Sequence, residues 1–266
     1  MPNLAAKSRR FLELHRPGQP LLLPNPWDQG SAKILASLGF QALATTSSGF
    51  AATLGRPDGT VTLDEALLHA EAIVAATDLP VSADLENCYA DNTEGVAHTV
   101  RLAAETGLAG CSIEDWSGQR RYDRAEAVDR VAAAAAAASD GGLVLTARAE
   151  NYLHGNPDLA DTIARLQAYQ EAGADVLYAP GLTSIEDIRA VVSSVDRPVN
   201  VLALPGVPPV AELAAAGVSR VSVGGAFAFA ALSALVNAAT ELRDAGTYGF
   251  HSTMAEGRKA ARAAFG

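Results

Sequence analysis

Acidic residues close two successive apolar runs of the chain, and their spacing suggests chemistry. Asp84 and Glu86 follow one run, and Glu114 and Asp115 follow the next. Carboxylates that converge raise one another's pKa values unless a cation offsets their charge. Hard oxygen ligands with room for water favour Mg²⁺, with Mn²⁺ as an alternative. The pattern therefore predicts a divalent metal site; the alternative is that each acid is only a helix cap or a solvated loop charge.

Other apolar runs end in residues suited to binding an anion. Arg148 closes one run, Asn200 lies in another, and a hydroxyl-rich turn at residues 46–49 follows an earlier one. An arginine fork, an amide and a turn with free N–H groups suit a carboxylate or a phosphonate. These residues predict a small anionic substrate. The alternative for Arg148 is that it pairs with Glu150 or with a metal-site acid and only orients it.

The apolar runs that carry these residues number eight, and a helix-like stretch follows each of them. The runs cover residues 21–25, 42–46, 80–84, 110–114, 143–148, 176–179, 199–202 and 220–223. Runs that are apolar on both faces suit parallel strands buried between a core and an outer layer of helices. Eight such units predict an α/β fold, a (β/α)8 TIM barrel that spans residues 1–266 as one domain. Two extra helices are expected, near residues 4–14 and 252–265.

Composition limits the possible partners. The 20 basic and 30 acidic residues give a net charge of -10, which lacks the positive field that nucleic acid or an anionic membrane attracts. The two cysteines, Cys88 and Cys111, provide neither a disulfide framework nor a thiolate zinc cage. Residues 1–18 are too charged for a signal peptide. We therefore expect a cytoplasmic protein with no nucleic-acid or membrane partner.

Five segments match the motifs of a known superfamily, in order along nearly the whole chain. They are residues 46–58 (TSSGFAATLGRPD), 84–87 (DLEN), 112–115 (SIED), 147–148 (AR) and 200–202 (NVL). Together they resemble the isocitrate lyase/phosphoenolpyruvate mutase superfamily. The resemblance implies a (β/α)8 barrel whose eighth helix is commonly exchanged between subunits of a homodimer or homotetramer. By that analogy, residues 236–245 and the C-terminal helix would make the contact between subunits.

The resemblance also implies a metal-binding role for four acids. Asp84, Glu86 and Glu114 would hold Mg²⁺ directly or through water. Asp58 would act through water from its loop and is a catalytic candidate as well. Members of the superfamily more often have aspartate at the position of Glu86, and the extra methylene could move the metal or change its number of waters.

The substrate contacts implied by the resemblance come from several segments. One carboxylate would be held by three residues of one turn, Thr46, Ser47 and Ser48. Arg148 would clamp the other end of the substrate and steady an enolate. Asn200 would add a polar contact, and Trp27 would form an aromatic wall.

One departure from the superfamily concerns the proton donor. Isocitrate and methylisocitrate lyases carry a Lys-Lys/Arg-Cys-Gly-His loop after the fourth strand, whereas residues 116–123 (WSGQRRYD) contain neither Cys nor His. Isocitrate lyase itself is therefore not expected. Cys88, two residues after Glu86, is a candidate replacement, with a packing role as the alternative. The other candidate proton carriers on the rim are Tyr89, Tyr122, Tyr178 and His154.

These observations and the resemblance predict a Mg²⁺-dependent enzyme, a carbon-carbon lyase in the broad sense. It would make or break a C–C bond next to the carboxylate or 2-oxo group of a small 2-oxo or 2-hydroxy dicarboxylate through an enolate, as a lyase, decarboxylase or hydrolase. Two alternatives stay open: a P–C bond mutase or hydrolase of the phosphonopyruvate or phosphoenolpyruvate type, and a non-catalytic barrel that binds an anionic metabolite. Residues 54–60 lack the gating-loop pattern of the P–C enzymes, which disfavours the first alternative.

Overall fold

Eight parallel strands form the centre of the molecule. The structure is a computed structural model that describes residues 4–266. The strands are β1 (Leu21–Leu23), β2 (Leu43–Ala44), β3 (Val81–Asp84), β4 (Gly110–Glu114), β5 (Val144–Arg148), β6 (Val176–Tyr178), β7 (Val199–Leu202) and β8 (Arg220–Ser222). They form one sheet in the order β1-β8-β7-β6-β5-β4-β3-β2. A hydrogen bond of 3.1 Å from Ala44 N to Pro24 O brings the two end strands together, so the sheet is a nearly closed barrel.

Helices alternate with the strands and surround them. They are α1 (Leu4–Glu13), α2 (Gln29–Ser37), α3 (Ser47–Thr53), α4 (Leu63–Ala75), α5 (Thr93–Glu105), α6 (Arg124–Gly141), α7 (Leu159–Glu171), α8 (Ile185–Ser194), α9 (Val210–Ala215), α10 (Ala226–Ala245) and α11 (His251–Phe265). Thr62 caps the start of α4 in a capping box with Glu65. The predicted (β/α)8 barrel and both terminal helices are confirmed. The turn at residues 46–49, by contrast, is the start of the additional short helix α3.

The first helix closes the N-terminal end of the barrel. Phe11 of α1 is fully buried and packs beside Gly110 at the start of β4. A Cβ atom at Gly110 would lie 2.7 Å from Val144 O and 3.0 Å from the Phe11 ring, so only glycine fits there. Behind Phe11, the Nδ1 of His15 is 2.8 Å from Phe11 O, and its Nε2 is 3.2 Å from Nη1 of Arg220. His15 therefore donates through Nδ1 and accepts through Nε2, which requires the neutral ring.

His15 makes the stability of this end of the barrel sensitive to acid. Burial and the nearby Arg220 lower the pKa of His15 to about 3. The unfolded chain takes up this proton near the ordinary pKa of about 6.5. The preference of the folded protein for the neutral ring therefore stabilises it fully above about pH 6.5. This stabilisation decreases as the pH falls from there toward the folded-state pKa of about 3.

His15→Gln keeps a hydrogen-bond acceptor for Arg220 but removes the titration. We expect the free energy of unfolding of the wild type to fall more steeply with acid than that of the variant, by up to about 1.4 kcal/mol per pH unit. Urea unfolding followed at several pH values between about 6.5 and 4 measures the difference. Parallel pH profiles for the two proteins would contradict the assignment.

The long helix α10 leaves most of its apolar side chains uncovered. Among its residues only Ala228 is buried. The exposed apolar side chains are Phe227, Phe229, Leu232, Leu235, Val236 and Leu242. Within residues 4–266, no helix combines the length and the hydrophobicity that crossing a membrane requires. An apolar helix face of this extent is typical of a contact between protein subunits.

We expect a second copy of the chain to cover α10. Replacing both Leu235 and Val236 by glutamate places two charges on this face and should convert the oligomer to monomer, as measured by light scattering. Leu68→Glu on α4 is the matched control, since Leu68 is 65% exposed and Leu235 is 63% exposed. A wild-type protein that is already monomeric, or a double variant with unchanged mass, would contradict the expectation.

Candidate active site

Three strand ends bring a cation and carboxylates together on the C-terminal rim of the barrel. Asp84, Glu114 and Arg148 are the last residues of β3, β4 and β5. Arg148 Nη1 lies 2.8 Å from Asp84 Oδ1, and its Nη2 lies 3.0 Å from Glu114 Oε2. Its Nε donates at 2.7 Å to Glu150 Oε1, in the loop after β5. The guanidinium of Arg148 thus joins three carboxylates from three successive strand units.

The rim carries more negative charge than Arg148 can offset. Five acids lie there: Asp58, Asp84, Glu86, Glu114 and Glu150. Burial raises the pKa of Glu114 well above its usual range, and Arg148 opposes that rise. Burial, together with the charges of Asp84 and Asp58, raises the pKa of Glu86 to about 7. Burial would lower the pKa of Arg148, but Glu150, Glu114 and Asp84 together raise it well above its usual range. This surplus of desolvated carboxyl groups suits an additional cation.

The loop after β3 holds Glu86 in a strained conformation. Glu86, Cys88 and Tyr89 have φ angles of 49°, 62° and 52°. Non-glycine residues in the left-handed region cost roughly 1 to 3 kcal/mol each, so the surroundings must hold this loop in place. The Tyr89 hydroxyl donates to Glu86 Oε1 at 3.3 Å, which orients the carboxylate.

A buried arginine on α6 fastens the same loop. Arg130 is 2% exposed, and its Nη2 donates to the carbonyl oxygens of Asn87 and Ala90, both at 2.8 Å. Its guanidinium lies over the Tyr122 ring, 4.3 Å from the centroid, and the Tyr122 hydroxyl accepts from Asn87 Nδ2 at 3.1 Å. Sequence reasoning missed Arg130, because nothing in the alanine-rich helix around it points to a loop more than 40 residues earlier.

Two residues of the sequence prediction lie away from the rim cluster. Asp115 is 3% exposed and turns outward, where it accepts from Tyr169 Oη at 2.7 Å and from Arg165 Nη1 at 2.9 Å. Asp115 Oδ1 also accepts from Glu150 N at 2.8 Å, so this acid supports the loop instead of joining the cluster. Cys88 is fully buried in the main hydrophobic core, and burial raises the pKa of its thiol well above the usual range. The structure places Cys88 in the packing role.

A cavity of about 200 Å³ descends from the rim into the barrel. It is lined by seven of the predicted site residues: Thr46, Ser47, Ser48, Asp58, Asp84, Arg148 and Asn200. The structure therefore brings together the predicted anion-binding residues. Within this turn, the Thr46 and Ser48 hydroxyls are 3.2 Å apart, and Ser47 N donates to Asp84 Oδ2 at 3.3 Å.

A second cavity, of about 510 Å³, opens beside the first at the rim and is bordered by an aromatic wall. The wall consists of Trp116 and His154, whose rings stack with their centroids 3.7 Å apart. Trp27, the wall residue implied by the resemblance, lines neither cavity and is half-buried beside Gly49. The sequence offered no signal that Trp116 would take this place, because the stacking depends on a loop about 40 residues later.

The acids of the rim suit Mg²⁺ by their chemistry but do not form a closed cage. Within residues 4–266, no three His, Cys, Asp or Glu side chains converge at the spacing of a metal site. Two of the predicted ligands, Asp84 and Glu114, are turned toward Arg148. Mg²⁺ nevertheless needs only one or two carboxylates, because it keeps several of its waters. The hard oxygen donors and the surplus negative charge of the rim therefore fit this ion.

Comparisons with known proteins agree with this fold. A provisional lyase/mutase of Burkholderia cenocepacia J2315 has a solved structure with 52% identity and a TM-score of 0.94, covering 97% of this chain and 96% of that one. The 2-methylisocitrate lyase of Escherichia coli (strain K12) is 31% identical, covering 71% of this chain and 70% of that protein. Oxaloacetate acetylhydrolase, solved with its product oxalate, is 26% identical with a TM-score of 0.83, covering 92% of this chain and 89% of that one.

The family assignment rests on most of the chain. The family of phosphoenolpyruvate phosphomutase matches residues 11–243, from the last turn of α1 to near the end of α10. The similar proteins include 2-methylisocitrate lyase and 2,3-dimethylmalate lyase. The chain therefore belongs to the phosphoenolpyruvate phosphomutase family, within the isocitrate lyase/phosphoenolpyruvate mutase superfamily.

Proposed function

We propose that this enzyme cleaves a C–C bond next to the carboxylate or 2-oxo group of a small 2-oxo or 2-hydroxy dicarboxylate, with Mg²⁺ as cofactor. The observation that carries the proposal is the cluster of Asp84, Glu114 and Glu150 around Arg148 at the mouth of a narrow cavity. That cavity, about 200 Å³, is smaller than the pockets of about 300 Å³ or more that bind drug-sized ligands. It suits a substrate of a few carbon atoms.

Arg148 can bind such a substrate while it keeps its three carboxylate partners. A guanidinium has five N–H donors, and the contacts with Asp84, Glu114 and Glu150 occupy three of them. The raised pKa of Arg148 keeps it charged, so it acts as a hydrogen-bond donor and not as a proton donor. When the C–C bond breaks, the oxygen of one fragment loses its proton and becomes a carbonyl, and the electron pair of the bond passes into the enolate of the other fragment. The free N–H groups of Arg148 stabilise the enolate oxygen until a proton returns to the enolate carbon.

The hydroxyl-rich turn provides the second group of contacts. The Thr46 and Ser48 hydroxyls line the cavity, where they can donate to a substrate carboxylate. The backbone N–H of Ser47 donates to Asp84, so the Ser47 hydroxyl is the group that can contact the substrate or Asp58. This arrangement holds the substrate with its reacting bond close to Arg148.

The metal in this proposal is held by the acids of the rim. Asp84, Glu86 and Glu114 would hold Mg²⁺ directly or through water, and Asp58 would act through a water molecule from the exposed edge. When bound, Mg²⁺ polarises a substrate oxygen and offsets the charge that develops during cleavage. Tyr89 keeps the Glu86 carboxylate in place by donating to it.

Binding of oxalate, a short dicarboxylate and enolpyruvate mimic, tests the proposal. We expect oxalate to bind only when Mg²⁺ is present. Asp84→Asn should weaken this binding at least about tenfold, or about 1.4 kcal/mol, because it removes a charged oxygen ligand. Isothermal titration with and without Mg²⁺ measures both effects.

The controls separate a lost site from a lost fold. Arg148 keeps Glu114 and Glu150 as partners in the Asp84→Asn variant, so the melting temperature should change little. Asp91→Asn, at an exposed acid of the loop before α5, is the matched control and should bind oxalate as the wild type does. Oxalate binding that does not depend on Mg²⁺, or no turnover of oxaloacetate, 2-methylisocitrate and 2,3-dimethylmalate, would contradict the proposal.

Arg130 should act as a positioning residue for the metal site through the loop of Glu86. Arg130→Met removes both hydrogen bonds to the loop carbonyls and lets the strained residues relax. We expect the Mg²⁺ concentration needed for half-maximal oxalate binding to rise about tenfold in this variant. In Arg130→Lys it should return part of the way to the wild-type value. A variant that melts at a lower temperature but keeps the Mg²⁺ requirement of the wild type would limit Arg130 to a purely structural role.

A further inference from the structure

The interior of this barrel is unusually polar below the rim. TIM barrels are normally filled by layers of branched aliphatic side chains. Here the cavity that starts at Arg148 continues between five small polar side chains: Ser82, Ser112, Thr146, Asn200 and Ser222. These residues come from β3, β4, β5, β7 and β8, so the polar lining runs around most of the barrel. Such a lining suits a polar ligand or ordered water.

A buried cation without a carboxylate partner lines the same cavity. Arg220 of β8 is 4% exposed, and its Nη1 contacts only neutral groups, His15 Nε2 and Thr146 Oγ1, both at 3.2 Å. Within residues 4–266, no carboxylate lies within ion-pair distance of Arg220, and its Nε has no hydrogen-bond partner. Although burial lowers the pKa of Arg220 to about 10, the side chain stays charged at neutral pH. Buried charges are normally paired, which leaves room for an anion from outside the chain.

Asn200 provides a second unused polar atom next to Arg220. It is 1% exposed, its Nδ2 donates to Ser222 Oγ at 2.9 Å, and its Oδ1 has no partner. The two residues are direct neighbours in the register of β7 and β8. A free donor on Arg220 beside a free acceptor on Asn200 is complementary to a ligand that carries both a carboxylate and a hydroxyl group.

The register of the sheet connects this lower site to the rim. Arg148 pairs with Tyr178, Tyr178 with Asn200, and Asn200 with Arg220 across four neighbouring strands. Arg220 reaches Thr146, which precedes Arg148 by two residues on β5. Because Arg220 begins β8 and contacts Thr146 and His15, its guanidinium lies deeper in the cavity than that of Arg148, which ends β5.

We propose that Arg220 forms an inner carboxylate subsite, which binds the remote carboxylate of a dicarboxylate whose other end lies at the rim, and that Asn200 Oδ1 beside it accepts from a hydroxyl group of the same ligand. This inference rests on the proposed function, because it names the part of the substrate that the inner cavity takes. The subsite selects substrates long enough to reach from the rim to Arg220, and it turns their second carboxylate inward. His15 and Thr146 hold the arginine in position from below and from the side.

A series of dicarboxylates of increasing length tests the subsite without turnover. Oxalate is short enough to be bound at the rim alone, whereas succinate and glutarate can extend to Arg220. In Arg220→Met, with Mg²⁺ present, we expect affinity for the two longer anions to fall at least about tenfold and affinity for oxalate to change by less than about twofold. Isothermal titration gives each value, and Arg189→Met, at an exposed arginine of α8, is the matched control.

Two further measurements keep the test decisive if Arg220→Met does not fold. Arg220→Lys retains the positive charge but loses the guanidinium fork, so it should weaken the binding of succinate more than the binding of oxalate. In the wild type, succinate should raise the melting temperature, whereas butyrate, of the same length with one carboxylate fewer, should not.

The outcomes distinguish this inference from the proposed function. If oxalate does not bind the wild type with Mg²⁺, the proposed function fails. If oxalate binds but succinate and glutarate do not, or bind equally to the wild type and to the Arg220 variants, the inner subsite is overturned and water fills the cavity. An equal loss of affinity for all three anions in folded Arg220 variants would also overturn the inner subsite, since Arg220 would then act only on the structure of the rim.

Discussion

The ion pairs of Arg148 are the interaction on which the rest of this site depends. Asp84, Glu114 and Glu150 each lie at the end of a strand or just after it, and their carboxylates are largely withdrawn from water. Like charges at such distances disfavour one another's ionised forms unless a cation lies among them. A single planar guanidinium can contact all three because its donors point in different directions. The ends of β3, β4 and β5 are therefore fixed relative to one another by one side chain.

Buried arginines recur wherever the rim needs support. Arg165 holds Asp115, which in turn holds the backbone of Glu150, and Arg130 holds the loop that carries Glu86. The protein has a net charge of -10, yet its interior near the site is organised by cations. The guanidinium groups of Arg148, Arg165 and Arg130 contact carboxylates or backbone carbonyls. Arg220 differs because it faces a cavity and neutral groups, and this contrast distinguishes it from a purely structural arginine.

The sequence predicted the barrel and the acids at strand ends because both follow from local patterns. An apolar run sets where a strand ends, and the next polar residue then lies on the rim, as with Asp84 and Arg148. Successive strand residues face opposite sides, which is why Asp115 points away from Glu114, and this alternation is visible in the sequence. Cys88 was not predictable in the same way, because left-handed backbone angles at residues 86, 88 and 89 turn it into the core. The stacking of Trp116 on His154 and the reach of Arg130 depend on contacts between distant segments.

The polar interior also explains why the barrel needs its first helix. A barrel filled by aliphatic layers closes itself, but here the cavity extends from the rim down to Arg220. The remaining apolar layer is formed by strand residues such as Leu21 and Val176 together with Phe11 from α1. His15, two residues after the end of this helix, bonds to Phe11 O through Nδ1, which leaves Nε2 free to accept from Arg220. The first helix and the residue that follows it closely, at the opposite end of the barrel from the rim, thus seal the interior and orient the arginine that lines its cavity.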